Sequence, residues 1–161
     1  MGDNLQIKIC GVNDLVSMNT AVNCNVDYIG LVFFEKSPRN VTIDLSKILL
    51  QKRSTNSKIV ALTVNPDDDF LLNIKNEVNP DYFQLHGTES PERCQEIKSK
   101  FKIPIIKGIG IKDKLDLIKL VKKYDEICNI LLLDAPSTNL PGGNGKKFNW
   151  EILKEFKSKS K

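Results

Sequence analysis

Six short apolar runs, each followed by a segment of more polar, helix-like spacing, constrain the fold of this chain more than any other feature. The runs have the length of single strands and are rich in Ile, Val, Leu, Tyr and Phe. They occupy residues 6–10, 27–33, 58–64, 81–86, 103–109 and 129–135. Such alternation predicts a parallel sheet with right-handed crossovers. With 161 residues, we expect a single domain over residues 1–161.

The segments between the runs predict the helices. In "KDKLDLIKLVKKY" the apolar residues recur at helical period, and this places Leu115, Ile118 and either Leu120 or Val121 on one face. The stretch "NWEILKEFK" near the end of the chain predicts a last, short helix.

Two closed arrangements of strand–helix units are possible, a doubly wound sheet and a (β/α) barrel. A doubly wound nucleotide-binding sheet would show G-x-G-x-x-G after its first strand, and "CGVNDL" does not. The glycine-rich stretch at residues 140–149 also fails the P-loop pattern, because no Ser or Thr follows its "GK". We expect that stretch to be a mobile loop over the mouth of a barrel.

A barrel carries its chemistry at the C-terminal ends of its strands. Alternation along the strands sets the reactive groups on one face, since Lys8 and Cys10 share a side, as do Gln84 and His86. The candidate residues at or after the strand ends are Cys10 for the first, Arg39 for the second, His86 for the fourth and Asp134 for the sixth.

Each of these residues has a structural and a functional interpretation. Cys10 is either a buried structural thiol or a base whose thiolate form is favoured by the nearby ammonium of Lys8. Asp134 follows an apolar run and is either an ion-pair partner of Lys8 or a proton donor. His86 is either a hydrogen-bonded strand-end residue or a substrate contact, and Arg39 is either a surface charge or a planar clamp for a carboxylate or phosphate.

Composition excludes several other functions. The net charge of +4 comes from dispersed lysines without interleaved aromatics, which makes a nucleic-acid role a weak interpretation. The four cysteines show no C-x-x-C spacing and there is one histidine, so we predict no metal site. The first residues lack the long apolar stretch that is typical of a signal peptide, and no run approaches the roughly 18 apolar residues of a membrane span. We therefore predict a cytoplasmic protein that binds neither nucleic acid nor membrane.

Taken together and in this order, several motifs resemble the phosphoribosylanthranilate isomerase family. They are "KICGV", "DYIGLVFFEKSPRNV", "FQLHGTESPE", "PIIKGIGI" and "LLLDAPSTNLPGGNGKKFNW". The resemblance covers essentially the whole chain. It implies a (β/α) TIM-barrel fold and an enzyme of tryptophan biosynthesis that converts N-(5′-phosphoribosyl)anthranilate to 1-(2-carboxyphenylamino)-1-deoxyribulose 5-phosphate by an Amadori rearrangement.

The resemblance also implies roles for the candidate residues. Cys10 would be the general base that removes the proton from C2′ of the ribose, and Asp134 the general acid that protonates the ring oxygen. Arg39 would position the anthranilate, with Gln84 and His86 lining the substrate site. Proton transfers alone carry the reaction, so the family implies neither a metal nor an organic cofactor.

The chain departs from the family pattern after its sixth unit. In the family two more βα units follow and hold the substrate phosphate, and nothing after Trp150 matches them. We therefore expect six of the eight units, an incomplete barrel with open edges on its first and sixth strands. Self-association or a complementing chain is then an expected partner. The alternative function is an inactive barrel fragment that acts only through such association. A weaker alternative is indole-glycerol-phosphate synthase, whose lysine and glutamate pair the motifs fit less well.

Overall fold

The computed structural model describes residues 5–136, 149–154 and 156. The chain divides into two compact units, Met1–Phe83 and Gln84–Lys161, and the boundary lies within the fourth strand. The strands are β1 (Lys8–Cys10), β2 (Tyr28–Phe33), β3 (Lys58–Thr63), β4 (Tyr82–Leu85), β5 (Ile105–Gly110) and β6 (Ile130–Asp134). The helices are α1 (Leu15–Asn23), α2 (Ile43–Leu50), α3 (Asp68–Val78), α4 (Pro91–Phe101), α5 (Lys114–Tyr124) and a 3-10 helix at Trp150–Leu153.

The strands pair in the order in which they occur in the chain, β1 to β6. The pairs β1–β2, β2–β3 and β5–β6 are parallel. A doubly wound sheet would instead show a rearranged order, because its chain reverses direction across the sheet. The predicted (β/α) barrel type is thus confirmed, with six strand–helix units.

Helix starts follow the capping rules closely. A polar side chain accepts a hydrogen bond from the backbone N–H three residues ahead of it, which satisfies one of the free donors of the first turn. The five caps, from α1 to α5, are Asp14, Thr42, Asp67, Ser90 and Asp113.

In the first unit, β2 and β3 are almost wholly buried. The register pairs Ile9 with Ile29 and Ile29 with Ile59, and the last two are fully buried. Cys10 pairs with Gly30 on the other face of the sheet. The thiol therefore lies on the face of the sheet opposite the face that bears the buried Ile29 and Ile59.

In the second unit, the helix-facing side of the sheet packs on α5. Ile109 forms a cluster with Leu117 and Val121 of that helix. Leu115 and Ile118, which the helical spacing sets on one face, are 80% and 51% exposed and lie outside this cluster. Apolar residues occur on two stripes of α5, so periodicity alone does not identify the stripe that the sheet covers.

The remaining expectations concern the last part of the chain. The final helix is a 3-10 helix, Trp150–Leu153, shorter than predicted. Residues 140–148, most of the predicted mobile loop, lie outside the described residues. Among the helices that the structure describes, none has the length and apolar character needed to cross a bilayer.

Candidate active site

The predicted site residues fall into two groups, one in each compact unit. Cys10 and Arg39 belong to the first unit, and Gln84, His86 and Asp134 belong to the second. Each group is assembled by contacts within its own unit.

Cys10 is the last residue of β1, and its thiol lies over a glycine on the neighbouring strand. A Cβ placed on Gly30 would be 2.9 Å from the Sγ atom of Cys10 and 3.0 Å from the Nζ atom of Lys8. The thiol and the ammonium therefore converge on the same small space, which the absent side chain of Gly30 leaves open.

Arg39 lies against the end of the same strand. Its Nη1 atom donates a hydrogen bond of 3.4 Å to the carbonyl oxygen of Cys10. The aliphatic part of its side chain crosses Gly11, where any Cβ would overlap Arg39 Cδ. Gly11 also has a φ of +86°, a conformation that L side chains rarely adopt. Both the backbone angle and the contact with Arg39 therefore require glycine at this position.

The β2–α2 loop carries Arg39 to this position. Asn40 accepts a hydrogen bond of 2.8 Å from the backbone N–H of Phe34, and Val41 donates one of 2.8 Å to the carbonyl of Val32. The backbone N–H of Arg39 itself bonds to Ser37 Oγ at 3.2 Å. These local bonds make a compact turn directly after β2.

The second group centres on His86, the first residue after β4. Its Nδ1 atom is 3.1 Å from Gln84 Nε2, and its Nε2 atom is 3.7 Å from Asp134 Oδ2. The backbone N–H of Ala135 donates a hydrogen bond of 2.7 Å to Asp134 Oδ1. Gln84 Oε1 is a buried acceptor without a hydrogen-bond partner among the residues that the structure describes.

Gly108 on β5 lies against the imidazole ring of His86. A Cβ at this position would overlap His86 Nδ1 and lie 2.7 Å from Cε1. The register pairs Gly108 with Leu132 and Gly110 with Asp134, so these residues share the face of the sheet that His86 covers. His86, Gln84 and Asp134 are thus one contiguous polar cluster at the C-terminal ends of β4, β5 and β6.

Sequence reasoning missed Gly30, Gly108 and the buried Lys107. The two glycines carry no signal of their own, because their importance depends on which side chain the register sets beside them. Lys107 had a signal, since a lysine inside the apolar run "IPIIKGI" is costly to bury without partners.

Two buried thiols of the second unit are poor candidates for chemistry. Cys94 and Cys128 contact each other, and the hydrogen bond with Cys128, together with burial, raises the pKa of the Cys94 thiol well above its usual range. A thiol held in its neutral form is a weak nucleophile, so Cys94 acts as a packing group. The same hydrogen bond lowers the pKa of the Cys128 thiol, but Cys128 is buried and so has no access to solvent.

Comparisons with known proteins identify the family. The family profile described as N-(5′-phosphoribosyl)anthranilate (PRA) isomerase matches residues 7–161. The N-(5′-phosphoribosyl)anthranilate isomerase of Agrobacterium fabrum is 42% identical over 153 residues, which are 93% of this chain and 69% of the relative. This chain belongs to that family.

Solved structures agree. The phosphoribosyl anthranilate isomerase of Thermotoga maritima has a TM-score of 0.81 at 28% identity, over 92% of this chain and 70% of that one. A second isomerase structure, in complex with reduced 1-(o-carboxyphenylamino)-1-deoxyribulose 5-phosphate, has a TM-score of 0.78 at 25% identity, over 94% of this chain and 69% of that one. The resemblance seen in the sequence and the barrel type of fold are both confirmed.

Proposed function

We propose that this chain isomerises N-(5′-phosphoribosyl)anthranilate in tryptophan biosynthesis, with Cys10 as the general base and Asp134 as the general acid. The observation that carries the proposal is positional. Each of the two residues is the last of its strand and lies on the face opposite the helix-packed side chains of its own unit. The family to which the chain belongs supports the same reaction.

Asp134 acts first in the proposed sequence. Its carboxylic acid donates a proton to the furanose ring oxygen as the bond from that oxygen to C1′ breaks, and the anthranilate nitrogen supplies the electron pair that forms an iminium at C1′. The contacts of Asp134 with the Ala135 N–H and the His86 imidazole orient the carboxyl group for this transfer.

Cys10 acts second. Its thiolate removes the proton from C2′, and the electrons of that bond move towards C1′ to neutralise the iminium and give an enolamine. Tautomerisation of the enolamine yields the ketone at C2′ and the amine at C1′. The ammonium of Lys8 and the thiol of Cys10 converge on the space over Gly30.

The other residues bind the substrate in this proposal. Arg39 presents a planar guanidinium beside Cys10, suited to the carboxylate of the anthranilate. The buried acceptor Gln84 Oε1 suits a substrate hydroxyl, because an unpaired buried acceptor otherwise costs free energy. His86 completes the wall of the site next to Asp134.

We propose two kinds of partner for the chain, a small-molecule substrate and another protein chain. A small phosphosugar is the substrate, and the cytoplasm is the proposed compartment. Within the described residues, β1 and β6 each pair with one strand only, and all five residues of β6 are half-buried. These edges support a second candidate function, association with another copy or with a complementing chain that supplies further strands.

Loss of substrate fluorescence tests the reaction directly. We expect turnover with the wild-type chain and its near-complete loss in Cys10→Ala and in Asp134→Asn, with both variants folded. A bell-shaped pH dependence of kcat/KM is expected from a thiolate base and a carboxylic acid donor. Near-normal rates in Cys10→Ala would refute the assignment of the base. Turnover that requires an added strand-bearing fragment would favour the associated form, and none under either condition would refute the enzyme function.

A further inference from the structure

Lys107 is a charged residue on the buried, helix-facing side of the sheet. It is 2% exposed, and its register partner Leu131 packs on the helix-facing cluster of the second unit. Its ammonium therefore lies between sheet and helices, on the opposite side from Asp134. A buried charge in such a position is strongly destabilising unless it is paired and hydrogen-bonded.

The partners of Lys107 are unusual because most of them are backbone. Its Nζ atom is 3.2 Å from Glu89 Oε2, in an ion pair whose side chains are 3% and 2% exposed. The same Nζ donates to the carbonyl oxygens of Leu85 at 3.3 Å, Gly87 at 2.9 Å and Gly108 at 2.9 Å. An ammonium has three protons, so these acceptors use its full capacity.

Those backbone acceptors surround one residue, His86. Leu85 and Gly87 are its neighbours in the chain, and Gly108 lies beneath its ring. The carboxylate of Glu89 also accepts the backbone N–H of Gly87, at 3.0 and 3.2 Å. His86 follows the last residue of β4, and the ion pair bonds to the backbone on both sides of it.

A tyrosine of α5 also bonds to the loop that carries Glu89. The hydroxyl of Tyr124 on α5 donates a hydrogen bond of 2.9 Å to the carbonyl oxygen of Glu89, and its ring lies 5.6 Å from Lys107 Nζ. The β4–α4 loop is thereby tied to both β5 and α5.

We propose that Lys107 and Glu89 are positioning residues, a clamp that holds the backbone around His86 so that its imidazole stays over Gly108 and against Asp134. Neither residue touches substrate. This role rests on the proposed function, because the position of the His86 ring affects turnover only if its neighbour Asp134 is the proton donor. The competing explanation is an ion pair that stabilises the fold without affecting the site.

The experiment uses the single histidine of the chain. In the full-length protein all imidazole signals in an NMR spectrum come from His86, and its closeness to Gly108 predicts strong nuclear Overhauser effects between ring protons and the Gly108 α protons. The test variant is Lys107→Met with Glu89→Gln, which removes both charges and keeps side-chain size. Removing both partners avoids the unpaired buried carboxylate that Lys107→Met alone would leave.

The matched control is Lys47→Met with Glu77→Gln, which removes an exposed Lys–Glu pair of the first unit. We expect the Overhauser effects between His86 and Gly108 in the wild type and the control, and their loss in the folded test variant. If the double variant does not fold, Glu89→Gln alone is judged by the same criterion. Full-intensity effects in the folded test variant, or their absence from the wild type, would overturn the proposal.

Turnover supplies the second measurement. We expect kcat to fall about 10- to 100-fold in the test variant with KM nearly unchanged, as for a catalytic group displaced by up to about 1 Å. An unchanged kcat would overturn the positioning role. The spectra need no substrate, so a wild-type chain without turnover would refute the proposed function while the Overhauser effects still decide whether the clamp holds His86.

Discussion

Replacing Gly30 with alanine tests the geometry of the proposed base with the smallest possible change. The new Cβ would lie 2.9 Å from Cys10 Sγ, 3.0 Å from Lys8 Nζ and 3.1 Å from Cys10 Cα. The end of the Lys8 side chain is flexible and can move away. The short Cys10 side chain has a single torsion angle, so its sulfur can avoid the new Cβ only by leaving its present position.

The size of the effect follows from these distances. Ordinary van der Waals contact begins at 3.4 Å, so the sulfur must retreat by about 0.5 Å. A displacement of about 1 Å costs on the order of 100-fold in rate, and half of that predicts a loss of about tenfold in kcat. The crowding at Cys10 should lower the free energy of unfolding by about 1–3 kcal/mol, the range for overpacked sites.

The assay combines turnover with urea unfolding in a double-mutant cycle. In the Cys10→Ala background, Gly30→Ala should cause no further loss of residual turnover, because there is no base left to displace. Unchanged kcat in Gly30→Ala, or an equal tenfold loss in the background that lacks the thiol, would show that the thiol over Gly30 does not act as the base.

Three further substitutions test other parts of the structure. Gly11→Ala should cost about 1–2 kcal/mol of unfolding free energy because of its positive φ, and should raise KM by displacing Arg39, measured by unfolding and by kinetics. Ser90→Ala removes the N-cap bond to the Arg93 N–H and should lower the free energy of unfolding by about 1 kcal/mol in urea. Burial raises the pKa of the Tyr124 hydroxyl, so the neutral form stabilises the fold below about pH 10 and this contribution is lost as pH rises through the raised value. Tyr124→Phe should therefore show a shallower fall of unfolding free energy above pH 10 than the wild type, and an equally steep fall would contradict the argument.

The sequence predicted the strands and the ends of the first and the sixth, because both depend on local signals. Short apolar runs mark strands, alternation assigns their faces, and Cys10 and Asp134 fell at the ends where the structure has them. The buried stripe of α5 was not predictable in the same way. Leu115 and Leu117 are equally apolar, and only the packing against β5 and β6 decides that Leu117 is buried.

Contacts between residues that are far apart in the chain could not be predicted from the sequence, for a different reason. Two partners of Lys107, Gly87 and Glu89, lie in the β4–α4 loop, far from it in the chain. Three of its contacts are to backbone oxygens, which any sequence would provide. Gly108 is another such case, since its place under His86 depends on the offset between β4 and β5.

At two glycines of the site, the backbone angles are a misleading guide to stabilising substitutions. Gly30 and Gly108 lack the positive φ that would demand glycine, and at such positions a change to alanine usually stabilises a protein by about 0.4–1 kcal/mol through the unfolded state. An engineering programme guided by backbone angles would therefore choose both positions for thermostabilising substitutions. In this fold the same changes would fill the spaces that Cys10 and His86 occupy. Screens for heat resistance in this family should accordingly measure turnover alongside melting temperature whenever an inward-facing strand glycine is replaced.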